Sequence, residues 1–494
     1  MRVFLINIRD PQFFTVAKGP RAKNGNSRVI GSPPIGIMIL SAVLKRAGHE
    51  CVMFDQANPE TPNEVIIARI QKQKPDLVGL SFLSLTSYPY AKNLARGVRA
   101  ANIKVPLAFG GAFATISANL IKIQCPEVDF ICRGDGEQLI LDLIEHLDNP
   151  SEVNGVTWAS NGQIVHNPDR AIDNNLDQWP FPDRESLPLE FVEAMPLDVP
   201  VVLSKKRFTV MQTSRGCPHS CVFCNIPMIS KRKWRARSSE HVINELKQLQ
   251  RLGYGAVYFV DDNFLLQPKR IKEICKGIID NKITIEWSCE GRVDSAAQHL
   301  FLTMAKSHCK MLMFGIESGS QKIIERLSKK QTLGEIKKAV SDAKQAGIKL
   351  VHGFFVVGCP GEDIEDMKAT FDFASKLRID TFNFNRLCVY YNTPLWREYV
   401  KRSLVNDETD WYKLFKCSEI DPTCLSGEVI NLVRMVGMRR LFLYKLMHYP
   451  FQTLRLLGRF VRNMPLRDIL YILIKPFLGN KRGSTKAELA SQEV

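Results

Sequence analysis

The chain has no apolar run of the roughly 18 residues that a spanning helix requires, so an integral membrane protein built on helices is excluded. No G-x-G-x-x-G follows its first apolar, strand-like run at 2–8, which leaves a dinucleotide site there without support. Acidic residues nearly vanish towards the C-terminal end. Between Val429 and Arg482, Asp468 stands alone against eleven Lys and Arg, and most of the formal charge of +16 is gathered there. A charge so confined describes one local surface, and no nucleic-acid partner is expected from it.

A fourth ligand is also missing. Cys217-Pro218-His219-Ser220-Cys221-Val222-Phe223-Cys224 puts three thiols in one loop, and no other Cys or His completes an obvious pair with them. Thiolates are soft ligands suited to iron–sulfur clusters or zinc. Structural zinc normally closes with a second Cys/His pair, and His219, lying between the first two cysteines, is a poor closing ligand expected to face solvent. Three ligands leave a position open.

What is present reads as a large α/β protein. At 494 residues, 45% hydrophobic and 24% charged, the chain has the length of two to four globular domains. Thirteen cysteines without a leader peptide lead us to expect a reducing, cytoplasmic setting. Cys275, Cys289 and Cys388 read as small core hydrophobes, and Cys417 and Cys424 as too isolated for a second metal site. Apolar strands at 2–8, 50–54, 76–81, 105–109 and 128–132 alternate with amphipathic helices, which predicts a doubly wound parallel sheet over 1–150 with ligands at the strands' carboxyl ends. Those ends carry Ser81 to Thr86, Gly110-Gly111-Ala112 and Gly134-Asp135-Gly136-Glu137, small or polar residues that let a ligand approach the backbone.

A hairpin and a proline-rich linker (Pro180, Pro182, Pro188, Pro196, Pro200) are expected over 151–203. Over 204–400, strands at 208–211, 256–260, 284–289, 311–316, 349–357 and 381–387 alternate with helices, which fits a partial (β/α)6 barrel. A basic helical region at 401–480 and a polar, disordered tail at 481–494 complete the division. In the basic region Leu441, Phe442, Tyr444 and Leu446 run beside Arg439, Arg440 and Lys445, a pattern shared by membrane-surface helices and by helices docked as a lid.

The C-x3-C-x2-C spacing with Phe223 before its last Cys strongly resembles the radical S-adenosylmethionine (SAM) superfamily. The resemblance implies a [4Fe–4S] cluster held by Cys217, Cys221 and Cys224, a fourth iron chelated by SAM, and release of a 5′-deoxyadenosyl radical on one-electron reduction. Phe223 and the successive strand ends then take SAM roles: Asp261 and Asp262 near its amino group, Arg292 at its carboxylate, Glu317 and Ser318 at the ribose, Gly358 near the adenine. Cys359, beside that glycine, is left open between core thiol and substrate-side thiol. Set before such a core, residues 1–150 look like the flavodoxin-like cobalamin-binding domain of many members, with Ser81, Gly110, Gly111, Gly134 and Glu137 as cobalamin contacts. Cobalt-ligating versions carry D-x-H-x-x-G after the first strand. Here the region reads Asp10-Pro11-Gln12-Phe13-Phe14, so any cobalamin is expected to lack a histidine lower ligand.

The resemblance implies methyl transfer to an unactivated carbon of an apolar substrate (lipid, isoprenoid or tetrapyrrole), with electrons from a flavodoxin or ferredoxin and peripheral membrane contact through the C-terminal helices. The alternative is a non-methylating reaction such as anaerobic oxidative cyclisation of magnesium-protoporphyrin ester. An RNA-modifying methylthiotransferase is a third reading, but it needs a second cysteine triplet, and Cys51, Cys125 and Cys132 lack clustered spacing.

Overall fold

The computed structural model describes residues 1–10, 33–58, 60–188, 207–295, 298–409, 414, 417–454 and 458. Segment 11–14, the linker prolines Pro196 and Pro200, and the tail at 481–494 expected to be disordered lie outside them.

Five apolar segments form β1 (Arg2–Asn7), β2 (Glu50–Asp55), β3 (Leu77–Ser81), β4 (Leu107–Gly110) and β5 (Phe130–Cys132), all parallel. Helices α1 (Ile35–Arg46), α2 (Asn63–Gln73), α3 (Tyr88–Ala100), α4 (Ala112–Ile116), α5 (Ala118–Gln124) and α6 (Gly136–Glu145) connect and follow them. The central strand β1 buries Val3, Phe4, Leu5 and Ile6 on both faces, as a continuous apolar run in a parallel sheet requires. Strand order is β2-β1-β3-β4-β5, so the winding reverses between β1 and β3 and opens a crevice at their carboxyl ends. The expected hairpin, β6 (Val156–Ser160) and β7 (Gln163–His166), adds two antiparallel strands beside β5. Its two-residue turn has Asn161 and Gly162 at φ 50° and 77°, the left-handed pair that matches strand twist.

The second sheet has six parallel strands in chain order: β8 (Phe208–Met211), β11 (Ala256–Phe259), β12 (Glu286–Gly291), β13 (Cys309–Glu317), β14 (Leu350–Val357) and β15 (Thr381–Arg386). Between β8 and β11 lie the short β9 (Ser214–Arg215), α7 (Ile226–Ile229), β10 (Arg235–Ala236) and α8 (Ser239–Arg251). Helices α9 (Pro268–Asp280), α10 (Gln298–Lys306), α11 (Gln321–Arg326), α12 (Leu333–Gln345) and α13 (Ile364–Lys376) return the chain between later strands. Strands in sequence order with helices between them make an arc of a (β/α) barrel, whose chemistry belongs at the carboxyl ends.

After β15 come α14 (Pro394–Lys401) and the 22-residue α15 (Gly427–His448). The latter packs closely along α13, and at Gly437 an added Cβ would lie 2.4 Å from the Phe371 ring. Here the sequence reading needs correction. Leu441 and Lys445 are buried, and Lys445 Nζ donates to the carbonyls of Leu377 and Ile379, the latter at 3.1 Å. Burial lowers the Lys445 pKa to about 8. This lysine fastens the helix to the barrel and is not one of a solvated basic face. No helix among the described residues is long and apolar enough to cross a membrane.

Candidate functional site at the domain junction

The cysteine loop leaves β8 and is pinched into a lobe. Ser214 and Arg215 pair with Ala236 and Arg235 to make its neck. Gly216 turns the chain at φ 86°, where an added Cβ would lie 2.1 Å from the Lys233 carbonyl, so only glycine fits. The next strand fixes this root. Asp261 accepts from Thr213 N (2.6 Å), Thr213 Oγ1 (2.5 Å) and Ser214 Oγ (2.6 Å), and Asp262 accepts from Gly216 N at 2.6 Å. Asp261 is thus occupied in holding the loop. Asp262 touches solvent at the barrel mouth yet is crowded by protein, and desolvation pushes its pKa up to about 6.

Arg292, at the end of β12, lies over the loop with Nη1 3.5 Å from Cys221 Sγ. Its fork is held by Asp294 at 2.8–3.1 Å and by the Lys329 carbonyl, so it stands as a fixed positive charge beside a thiol. Glu317 closes β13 at a bulge with φ 68°, an unfavourable value for a residue with a Cβ, and is paired with Lys329 at 2.5 Å. Strained backbone of this kind gathers at working sites. Ser318 is turned the other way, fully buried against Thr370 Oγ1 at 3.0 Å. After β14, Gly358 (φ 79°) and Cys359 donate backbone N–H groups to Glu362 at 2.5 and 2.9 Å. Cys359 is wholly enclosed and its thiol acidity weakened by burial, which makes it a core thiol.

Lys329 and Thr213 were not foreseen. Nothing in Leu327-Ser328-Lys329-Lys330 marks one lysine of the pair as inward-facing. The expectation for His219 is also corrected: it is half-buried, its Nε2 is enclosed without a partner, and burial lowers its pKa. Phe223 is half-buried against a core shared by both sheets.

In the first sheet, the crest loops are built largely from backbone. Ser81 O accepts from Ile8 N at 2.9 Å, and Gly110 O accepts from Phe82 N at 3.1 Å. Gly111 (φ 97°) lets α4 start beneath the next loop, since an added Cβ would lie 2.3 Å from the Phe82 carbonyl. Gly134 (φ 94°) faces open space and lines a cavity of about 550 Å³ with Thr115, Asp135, Met228 and Lys231. Glu137 behaves differently from its neighbours. Its carboxylate is 4% exposed and takes both Arg215 nitrogens, one at 3.1 Å, while Asp135 holds Arg215 (3.4 Å) and Arg235. Glu137 is engaged in gripping the neck of the cysteine loop across the domain junction.

Among the described residues no three Cys, His, Asp or Glu side chains gather tightly enough for a single metal ion. Cys417 and Cys424 do meet, their sulfurs 3.2 Å apart beside the Tyr399 hydroxyl, but without a third ligand. The 217–224 loop suits a larger polynuclear group. Three thiols in one lobe, a fixed cation against one of them, and buried polar atoms without partners at His219 Nε2, Asn263 Nδ2 and Glu362 Oε1 fit a cluster with a polar ligand above it.

The comparisons agree with this geometry. The Radical SAM superfamily profile matches residues 211–374, and the B12 binding domain profile matches 28–144. An uncharacterized methyltransferase of Pyrococcus horikoshii is 31% identical over 392 residues, which cover 78% of this chain and 83% of that protein. The chain belongs to the radical SAM superfamily. This radical SAM enzyme carries a B12-binding domain ahead of its barrel, and its cofactors are a [4Fe–4S] cluster, SAM and cobalamin. Anaerobic magnesium-protoporphyrin IX monomethyl ester cyclase of Rubrivivax gelatinosus is 24% identical over 450 residues, 87% of this chain and 78% of the cyclase. The radical SAM methyltransferase TsrM of Kitasatospora setae, solved with tryptophan and a SAM analogue, shares the fold at TM-score 0.69 and 15% identity, over 89% of this chain and 88% of TsrM.

Residues that follow the carboxyl ends of strands in both sheets share one apolar core. It contains Phe82, Leu85 and Phe113 from the first domain with Leu387, Val389 and Trp396 from the second, and Val222 and Phe223 pack on it.

Proposed function

We propose that this enzyme transfers a methyl group to an unactivated carbon of an apolar substrate. The observation that carries the reading is the one core shared by the cysteine loop and the first sheet's crest. When bound, the cluster and SAM supply a 5′-deoxyadenosyl radical, and cobalamin supplies a methyl group. Cys217, Cys221 and Cys224 bind the cluster, and Arg292 holds positive charge against it. Asp262 offers a carboxylate to the amino group of SAM, Glu317 a carboxylate to its ribose, and the Gly358 turn a close backbone approach. Ser81, Gly110, Gly111 and Gly134 give the corrin a flat backbone seat. Enclosing both cofactors between domains excludes water and fixes orientation.

An apolar substrate is supported by α15. Opposite its docked face it leaves Leu432, Val436, Leu443 and Met447 exposed, and Phe451 and Leu454 continue the line. Arg439 and Arg440 flank that stripe, which suits an anionic membrane surface from which such a substrate is drawn. A one-electron carrier of the flavodoxin or ferredoxin kind completes the reading.

The cyclase relative favours a second reading, oxidative cyclisation of a tetrapyrrole ester without methyl transfer. Anaerobic turnover separates the two. Methyl transfer yields S-adenosylhomocysteine and 5′-deoxyadenosine in matched amounts; 5′-deoxyadenosine alone overturns it.

A further inference from the structure

The 217–224 loop lies between two turns that end in exposed cations. On one side the chain leaves α7 through Ser230, and Lys231 and Arg232 take left-handed backbone at φ 49° and 59°, unfavourable for residues with a Cβ. This turn is clamped to the root of the loop. Arg232 Nε donates at 3.3 Å to the carbonyl of Pro218, the residue after Cys217, and the Lys233 carbonyl is the group that leaves no room for a side chain at Gly216. On the other side α11 ends at Leu327, whose carbonyl accepts from Val222 N, between Cys221 and Cys224, at 3.1 Å. Ser328 and Lys330 are left-handed there, at φ 51° and 52°.

A surface lysine by itself signifies nothing, since solvated cations are the rule. Here the pairing of charges divides sharply. No acid occurs in the chain between Asp198 and Glu240. Arg215, Arg235 and Arg237 of that stretch are enclosed and neutralised from elsewhere, by Glu137, Asp135 and Glu245, and Lys231 reaches Asp169 at 3.0 Å. Arg232, Lys233 and Lys330 are exposed, and among the described residues no carboxylate pairs with any of them. Three unneutralised cations thus stand on turns that are bonded to the cysteine loop from both sides.

Resting on the reading that a one-electron carrier serves this enzyme, we propose that Arg232, Lys233 and Lys330 form the surface on which that carrier docks, and that the carrier presents an acidic face. Opposite charge steers the encounter and fixes its orientation. A patch of three cations is small, which suits electron carriers, whose brief encounters bury little surface. The step moves one electron from the reduced carrier to the cluster, with no bond formed or broken, and the two turns let the carrier approach the loop that binds the cluster.

The test uses the full chain with its cluster reconstituted and, as probe, an acidic flavodoxin in its hydroquinone form, mixed by stopped flow. Appearance of the flavin semiquinone reports the electron leaving the carrier. Lys233→Glu with Lys330→Glu keeps the Arg232 contact to the loop, and its second-order rate is expected to fall at least about tenfold at low salt, while the native rate falls as salt rises. Lys272→Glu with Lys276→Glu, on the exposed face of α9 where it packs between α8 and α10, makes the same change in net charge and is expected to stay within about twofold of native. Iron content and the rate of reduction by dithionite are expected to be unchanged in both. Carbodiimide, which joins lysine amines to carboxylates, is expected to couple the native chain to flavodoxin through Lys233 or Lys330 in peptide maps. A native rate in the Lys233/Lys330 variant overturns the proposal, as does equal slowing by the two pairs of substitutions. A native rate together with lost sedimentation on phosphatidylserine vesicles overturns it in favour of an anionic lipid surface. A native cluster that dithionite reduces, but neither flavodoxin nor ferredoxin does, overturns the carrier reading itself.

Discussion

Arg292 Nη1 stands 3.5 Å from Cys221 Sγ, and the same guanidinium is locked by Asp294 on its other edge. A fixed cation this close stabilises the more negative, reduced state of a cluster held by that thiolate. Arg292→Met is therefore expected to lower the reduction potential of the reconstituted cluster by about 60 mV, equivalent to tenfold in a one-electron equilibrium. A potentiometric titration followed by electron paramagnetic resonance measures it. An unchanged potential at full iron content would mean that the arginine acts only through SAM.

Arg215 and Glu137 join the two domains at the neck of the cysteine loop. Removing one partner of a buried pair leaves an uncompensated charge, at a cost of about 3–5 kcal/mol. Arg215→Met is expected to lower the thermal midpoint by several degrees, and adding Glu137→Gln is expected to recover much of the loss. Calorimetry of the two variants checks both statements. If the single variant is as stable as the native chain, the pair contributes nothing across the junction.

Much of the architecture was legible because it rests on period and punctuation. Every strand of the parallel arc falls within a few residues of an apolar run, since strands buried on both faces have little choice of composition. The cysteine loop was legible for a different reason, its ligand spacing. Side-chain directions were not. Whether Glu137 faces a cofactor or Arg215, and whether Lys445 faces water or the Leu377 carbonyl, depends on which chain segments meet, and no local pattern encodes that. Lys329 is the clearest case: its partner Glu317 is 12 residues away, across a helix and the left-handed Ser328.

Glu362 binds two backbone N–H groups with one oxygen while the other is buried without a partner. Burial pushes its pKa from 4.5 up to about 7. The folded chain therefore holds this proton more tightly than the unfolded chain does. Stability contributed by the protonated group is fully present below about 4.5 and declines as pH rises towards about 7, by at most about 3 kcal/mol. Glu362→Gln keeps a carbonyl oxygen for the two donors and removes the titration. Unfolding midpoints measured from pH 5 to 8 are expected to fall less steeply in the variant. Parallel profiles would show that the carboxyl does not titrate in this window.

The outer face of α15 carries Leu443 and Met447 at 55% and 69% exposure, opposite Leu441 and Lys445, which are buried on α13. Because the outer pair supports no internal packing, Leu443→Glu with Met447→Glu leaves the fold intact, within about 0.5 kcal/mol for surface changes. It nevertheless places two like charges against an anionic surface, where each cationic residue is worth about 1 kcal/mol. Co-sedimentation with phosphatidylserine vesicles is expected to fall at least tenfold in the double variant and to weaken with salt in the native chain. Retention of binding would assign membrane contact, if any, to another surface. A native chain that fails to sediment at low salt would remove the membrane and leave the stripe as a protein-docking face. The double variant distinguishes the helix's two sides cleanly, because its inner face is fixed independently by Gly437 against Phe371 and by Lys445 against the Ile379 carbonyl.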